Sequence, residues 1–309
     1  MPAPAAFLRP WLSSLQPGPA AQAGPVTLIP LLGPDRIPAI TTLGAHRGDE
    51  QVDVREVSES GVVARVLVVN GSPLPLLLLD GEELVGAKQN RVVNASTLVG
   101  AGVSLEVPVS CCERGRWRNI SRGFRSEGRS MPWSLKAQKH SRVTSSLRNH
   151  RGFDADQGAL WRDVDTYLSD RNVRSRSDAL SAAFDADREE IDRLRRQLLP
   201  DGPLPTQVGV AFALRGKLLG LEIFGSHELY AQAHERLLHA CLTEALGVES
   251  GPSEAVSDPI DLVMAVLTEP STSQPSSGLG EDHRFEGRRG SGFLLSWQEA
   301  PIHAGVFAR

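Results

Sequence analysis

Between Leu79 and Arg91 the chain reads Leu79-Asp80-Gly81-Glu82-Glu83-Leu84-Val85-Gly86-Ala87-Lys88-Gln89-Asn90-Arg91. Asp80-Gly81 alone suffices for a tight turn between apolar strands. The remaining carboxylates, cations and amides exceed that need, and their types suit chemistry on an anion. Glu82 is a general acid or base candidate whose pKa burial would shift. Lys88 and Arg91 would hold phosphate, Arg91 through its bidentate fork. Asn90 and Asn94 both donate and accept, which suits a phosphate or a sugar hydroxyl. There is also a structural alternative. Glu82 and Glu83 alternate faces in a strand, so at most one points inward, paired with Lys88 or Arg91 to hold the hairpin in register. The amides and cations are then satisfied turn and edge groups.

A second polar group follows at Glu113-Arg114-Gly115-Arg116. Glu113 is a further acid or base candidate, and Arg114 and Arg116 are further anion ligands. They open a segment, residues 114–151, that sets eleven Lys and Arg against one carboxylate, a net of +10 that leaves −14 for the rest of the chain. Trp117, Phe124 and Trp133 interleave with those arginines, a pattern that single-stranded nucleic acid can use. The acidic remainder counts against that use.

Cys111 ends the alternation Leu105, Val107, Val109, Cys111, which puts it on the core face and Cys112 on the other. Cys111 reads as a small buried hydrophobe or as a thiolate activated by nearby arginines, Arg114 among them. His303, in the apolar run Ile302 to Phe307, reads as a satisfied core group or a catalytic one. Asp282 and Arg284 read as a salt-bridged strand end. His234 and His239 imitate a zincin helix, but they stand five apart and point ~140° from each other. No metal site, Walker loop, nucleophile elbow or dinucleotide fingerprint is expected, and no cofactor.

The totals suit an ordinary globular protein, with 309 residues, 40% apolar and 23% charged. No apolar run approaches the ~20 residues of a membrane helix, so no membrane association is expected. The N-terminus lacks a basic stretch followed by an unbroken apolar one, so no signal peptide is expected. Three cysteines without a spacing pattern point to reduced thiols in a cytoplasm.

The elements that must position these residues change character along the chain. Residues 1–25 hold too many Pro, Ala and Gly for a core element and are placed on the surface or as a flexible segment. Residues 26–117 read as β throughout. Val26 to Ile29 is followed by Val52–Val57, Val62–Val69, Leu74–Leu79, Arg91–Val99 and Val103–Cys111, with turn signals between them. Residues 118–153 read as a basic linker, or as a mobile cationic flap. From Asp154 the period is helical: Leu160, Trp161, Val164 and Leu168 share a face, as do Leu180, Phe184, Ile191, Leu194 and Leu198 behind a Ser177 cap. Pro200-Asp201-Gly202-Pro203 breaks that helix. A hairpin follows around Arg215-Gly216, then a helix from Ser226 to about Leu246 and a short one from Pro259. Ser271–Gly280 reads as a loop, and three strands close the chain. The fold class is α+β: a β-rich antiparallel N-terminal half, sandwich or barrel, and a C-terminal antiparallel sheet covered by helices in residues 154–309. Residues 26–309 form either two halves or one continuous unit.

Several of these stretches are familiar together. The run 79–91, then Asn94, Val107-Pro108-Val109-Ser110-Cys111 and Glu113-Arg114-Gly115-Arg116-Trp117, resembles a bacterial family called the ARG-and-rhodanese-phosphatase-superfamily-associated protein domain, in which ARG is taken as ADP-ribosylglycohydrolase. The resemblance extends to Gln157-Gly158 before Trp161, to Gly220-Leu221-Glu222-Ile223-Phe224 and to His303, and covers nearly the whole chain from about Val26. Cys112 stands where an aliphatic residue is expected, and Thr41 to Asp49 is more polar than expected. The family's name records an association, not an activity. What the resemblance implies is a link to ADP-ribose-related systems, which a site of Lys88, Arg91 and the arginines after 113 would suit.

The expected function is therefore cytosolic binding or processing of an anionic small molecule, a nucleotide or ADP-ribose derivative. A non-catalytic interaction module with a protein partner is the alternative, and nucleic-acid binding is a distant third.

Overall fold

A computed structural model describes residues 7–198, 202–249 and 255–309. The chain divides into two compact units, Met1–Ile40 with Asp192–His234 and Gly247–Arg309, and Thr41–Ile191 with Glu235–Leu246. The architecture is α+β and mostly antiparallel.

The first unit is built on a nine-stranded sheet. Its order is Gln16–Pro17, Val26–Leu32, Gln207–Leu214, Lys217–Phe224, Ala300–Ala308, Gly290–Trp297, Glu281–Glu286, Ser271–Pro275, with Ala21–Ala23 pairing separately onto Val26–Leu32. Leu214 opposes Lys217 across Arg215-Gly216. Both turn residues have positive φ, +52° and +81°, which is why a glycine is needed at the second. The core joins Leu31, Ala211, Ile223, Leu294, Ala304 and Val306 to helices Leu8–Leu12 and Pro259–Leu267. Asp258 caps the latter by accepting from the Ile260 amide at 2.8 Å, with Pro259 in the first turn as the sequence implies.

Two expectations for this unit fail. Residues 7–25 are not a surface segment, because Leu8, Trp11, Leu12 and Leu15 enter the core. Their spacing is that of one helix face, and the surrounding Pro and Ala hide it; residues 1–6 lie outside the described residues. Ser271–Pro275 is a strand rather than loop, an edge strand with its proline at the end.

The second unit holds a closed barrel ordered Ser104–Cys111, Arg65–Asn70, Val52–Glu56, Phe124–Ser130, Glu82–Gly86, Arg91–Val93. A three-stranded sheet of Thr97–Val99, Leu76–Leu78 and Thr41–Thr42 accompanies it. Val54, Val66, Val68, Leu84, Val93, Val107 and Val109 fill its core. Helices Trp133–Arg148, Gln157–Asp170 and Ser181–Ala186 belong to the same unit.

The segment 118–153 is neither linker nor flap beyond its first residues. Phe124–Ser130 is a barrel strand and Trp133–Arg148 a four-turn helix. The helix escapes an apolar scan because Lys136, Lys139 and His140 are buried in line with Trp133, Val143 and Leu147. The expected continuous helix through Leu180 and Leu198 is instead two, Ser181–Ala186 and Arg188–Leu198, separated at Asp187. Ser177 caps neither. The expected breaker begins at Pro200, outside the described residues, and the second helix ends at Leu198 before it.

Helix His227–Ala245 is capped by Ser226, whose hydroxyl accepts from the Leu229 amide. Its residues through His234 fall in the first unit and those from Glu235 in the second.

Candidate functional site

Asp80-Gly81 does make a turn, with Gly81 at φ +76° and the Glu82 amide donating to Leu79 O at 3.1 Å. It does not close a hairpin, since the strands on either side belong to different sheets. The hairpin is Glu82–Gly86 with Arg91–Val93, so Ala87 to Asn90 is its connection.

Glu82 and Glu83 are both fully buried, contrary to the one-inward expectation. A closed barrel has an inside, and here its outside is covered as well. Glu82 pairs with neither Lys88 nor Arg91. Its Oε2 accepts from the Leu79 amide at 3.1 Å and from Arg236 Nη1 at 3.0 Å. Glu83 faces Cys112, Sγ to Oε1 3.8 Å, and accepts from Asn90 Nδ2 at 3.4 Å, while its Oε2 has no partner. Burial pushes its pKa up to about 7 against weaker opposing help from Arg129 and Asn90.

Asn90, Glu113 and Arg116 are brought into direct contact. Glu113 Oε2 accepts from Arg116 Nη2 at 2.6 Å and from the Asn90 amide at 3.1 Å, and Oε1 accepts from Ser177 at 2.7 Å. Burial alone would raise the Glu113 pKa, but those three hydrogen bonds and the Arg116 charge outweigh it and hold the group below its ordinary value. Glu113 is thus an ionised anchor, without a proton to give near neutrality. Arg116 also donates to the carbonyls of Gly86, Ala87 and Arg118 and to Asn90 Oδ1. It ties the hairpin connection to the loop after Glu113.

Arg91 is fully buried and donates to Gln89 Oε1 at 3.0 Å and to Cys111 Sγ. Its Nη2 lies 3.6 Å from Glu56 Oε1, and its Nε has no hydrogen-bond partner. Gln157 brackets Cys111 by accepting from its amide and donating to its carbonyl. Burial outweighs Arg91 and pushes the Cys111 thiol up to about 11, and burial raises Cys112 as well. Both shifts favour the thiol over the thiolate, and Cys111 Sγ, though buried, meets the polar groups of Arg91 and Gln89.

The other candidates separate. Asn94 donates to Phe153 O and accepts from Ser110, and its carbonyl takes Lys139, which also pairs with Asp80. Arg114 is exposed and forks between Asp165 and Asp178, both at 2.9 Å. It borders a cavity of about 710 Å³ that Arg174 and the same two aspartates also line, so the charges there balance. His303 belongs to the first unit, where it lies 2.9 Å from Glu222 Oε2 and stacks on Phe224. His234 and His239 have separate partners, Tyr230 and Ser130. Among the described residues no group suits a metal ion.

One surface feature remains unbalanced. The loop after Arg116 shows Trp117 at 49% and Ile120 at 58% exposure. Lys88 Nζ lies 5.3 Å from the Trp117 ring centre and the Arg91 guanidinium 5.7 Å. Arg118 and Arg122 are exposed on the same loop without an acidic partner. The loop is moored at Ala87, whose carbonyl takes the Ile120 amide and whose amide reaches Ser121 Oγ. Of the three aromatics in the basic segment only Trp117 is accessible, since Phe124 and Trp133 are buried. The sequence pointed to this segment through its arginines and through Trp117, Phe124 and Trp133 interleaved with them, but not to which of those aromatics stays in water.

The structure contains no helix long and apolar enough to cross a membrane among the described residues. No curated protein and no solved structure matches the chain. The sequence does match one family over residues 14–307, so the chain belongs to the ARG and Rhodanese-Phosphatase-superfamily-associated Protein domain family.

Proposed function

We propose that the barrel unit binds an anionic small molecule carrying a flat ring, a nucleotide or ADP-ribose derivative, on the Trp117 loop. The observation that carries this reading is the exposed indole with Lys88 Nζ 5.3 Å from its ring centre, on a loop whose exposed Arg118 and Arg122 form no ion pair among the described residues. A base would stack on the open face of Trp117, and phosphates would lie against the arginines. In this reading Glu113 and Arg116 hold the loop in place, and Arg91 backs the indole from within. Three buried cysteines outside any disulfide suit the bacterial cytoplasm as its setting. The link to ADP-ribose rests on taking ARG in the family's description as ADP-ribosylglycohydrolase.

Calorimetry with ADP-ribose on the wild type, Trp117→Ala and the double variant Arg118→Ala/Arg122→Ala tests the proposal. Loss of one stacked base predicts an affinity about tenfold lower for Trp117→Ala. Equal heats for all three proteins would end it.

A second reading is a non-catalytic protein-interaction module. Val62 and Val63 are exposed, and the Gly61 backbone adjoins the same indole, a Cβ there lying 3.4 Å from Trp117 Cζ2. A partner retained on the protein at high salt and lost in Trp117→Ala would favour it, since screening weakens charge contacts first.

A further inference from the structure

In the nine-stranded unit, a cavity of about 540 Å³ opens where the hairpin of Gly290–Trp297 and Ala300–Ala308 turns. Its walls include Phe7, Glu281, Ser296, Trp297, Gln298 and Glu299, with no lysine or arginine among the lining residues. Glu281 and Ser296 are cross-strand partners, which fixes the first carboxylate at the sheet end. Gln298 and Glu299 form the tight turn, both with positive φ, +51° and +58°, which fixes the second. Phe7 enters from the helix that begins at Leu8 and packs against the adjoining core. The wall therefore joins two aromatic rings and two carboxylates from three stretches of chain.

Among the described residues no lysine or arginine pairs with those carboxylates, both of which belong to exposed residues. Glu299 has no ion pair, and Glu281 meets only the His283 ring at 3.7 Å. His283 is buried, with its Nε2 2.8 Å from Ser296 Oγ. Burial lowers its pKa against the opposing pull of Glu281 and Asp282, so it is neutral near pH 7. Anions are repelled by such a wall, and a neutral apolar molecule leaves the carboxylates unused. A cation with an apolar stem satisfies both parts at once, with its charge between the carboxylates and over the indole and its stem on the rings.

We propose that the Phe7–Trp297 cavity binds an organic cation, an alkylammonium or guanidinium group, held by Glu281 and Glu299. The site is separate from the Trp117 loop and stands or falls independently of it.

The test uses the full chain and the indole N–H signal of Trp297, identified through Trp297→Phe. n-Butylammonium is the probe and n-pentanol its neutral counterpart. The expected result is a saturable shift with the amine and none with the alcohol. Affinity should fall about fivefold in Glu299→Gln and in Glu281→Gln, the size of a partly exposed ion pair. Both are isosteric changes on solvent-facing side chains, and an unchanged spectrum elsewhere shows that the fold is intact. Equal shifts from the alcohol, no saturable shift from the amine, or unchanged affinity in both variants would overturn the proposal. N-acetyl-lysine methylamide distinguishes the two sources of this chemistry. Binding as tight as the amine's supports a polypeptide side chain as ligand, and its rejection while the amine binds supports a free small molecule.

Discussion

Glu82 and Arg236 form a buried ion pair at 3.0 Å although 154 residues of sequence separate them. The carboxylate that looked most like a catalytic acid is therefore a tie between a barrel strand and a helix turn of the same unit. Glu82→Ala leaves the guanidinium buried without its carboxylate. It should cost about 3–5 kcal/mol in urea unfolding, in the range for breaking one partner of a buried pair. An effect below ~1 kcal/mol would mean that the pair is solvated in solution.

Glu83 has a different effect. Its folded pKa of about 7 lies above the ordinary 4.5, so the folded state binds the extra proton between those values. Stability falls as pH rises through that window and is level beyond it, by roughly 3 kcal/mol at the limit. Glu83→Gln should therefore stabilise the protein at pH 8 and do little at pH 4.5. A constant difference between variant and wild type across that range would contradict the assignment.

Glu113 has the opposite sign. Its pKa is held below the ordinary value, so its contribution is present above about pH 4.5 and disappears as pH falls through the folded value. Arg116→Lys removes the planar fork that serves Glu113, Asn90 and three carbonyls, and an ammonium cannot span them. Hydrogen exchange at the Ile120 amide, which donates to Ala87 O, should speed up at least tenfold, about 1.4 kcal/mol of local stability. Unchanged protection would show that the loop is held without the clamp.

The cysteines provide a simple check of burial. Cys111, Cys112 and Cys241 are all buried and none is in a disulfide. Iodoacetamide at pH 8 should leave the folded chain unmodified and add three groups after denaturation. Rapid labelling of Cys111 in the folded protein would restore the thiolate idea.

Local signals carried the elements whose cause is local. The Arg215-Gly216 hairpin, the Ser226 cap and the strands Val52–Glu56 and Ser104–Cys111 depend on turn conformation, capping and alternation within a few residues, whereas the expected strand Arg91–Val99 divides into Arg91–Val93 in the barrel and Thr97–Val99 in the three-stranded sheet, and the strand Glu82–Gly86 was not expected. The run 79–91 stood out because it is too polar for its neighbours, and Asp80, Glu82 and Arg91 in it are indeed ion-paired, while Glu83 and Lys88 form no ion pair among the described residues. Which partner each group takes was not legible there. Arg236 for Glu82, Lys139 for Asp80, Ser177 for Glu113 and Glu222 for His303 come from distant positions, set by how the barrel and the sheet close. The same closure decided accessibility, burying Phe124 and Trp133 and leaving Trp117 in water. Sequence periodicity reports one face of one element, but pairing and exposure depend on what the rest of the chain places against that face.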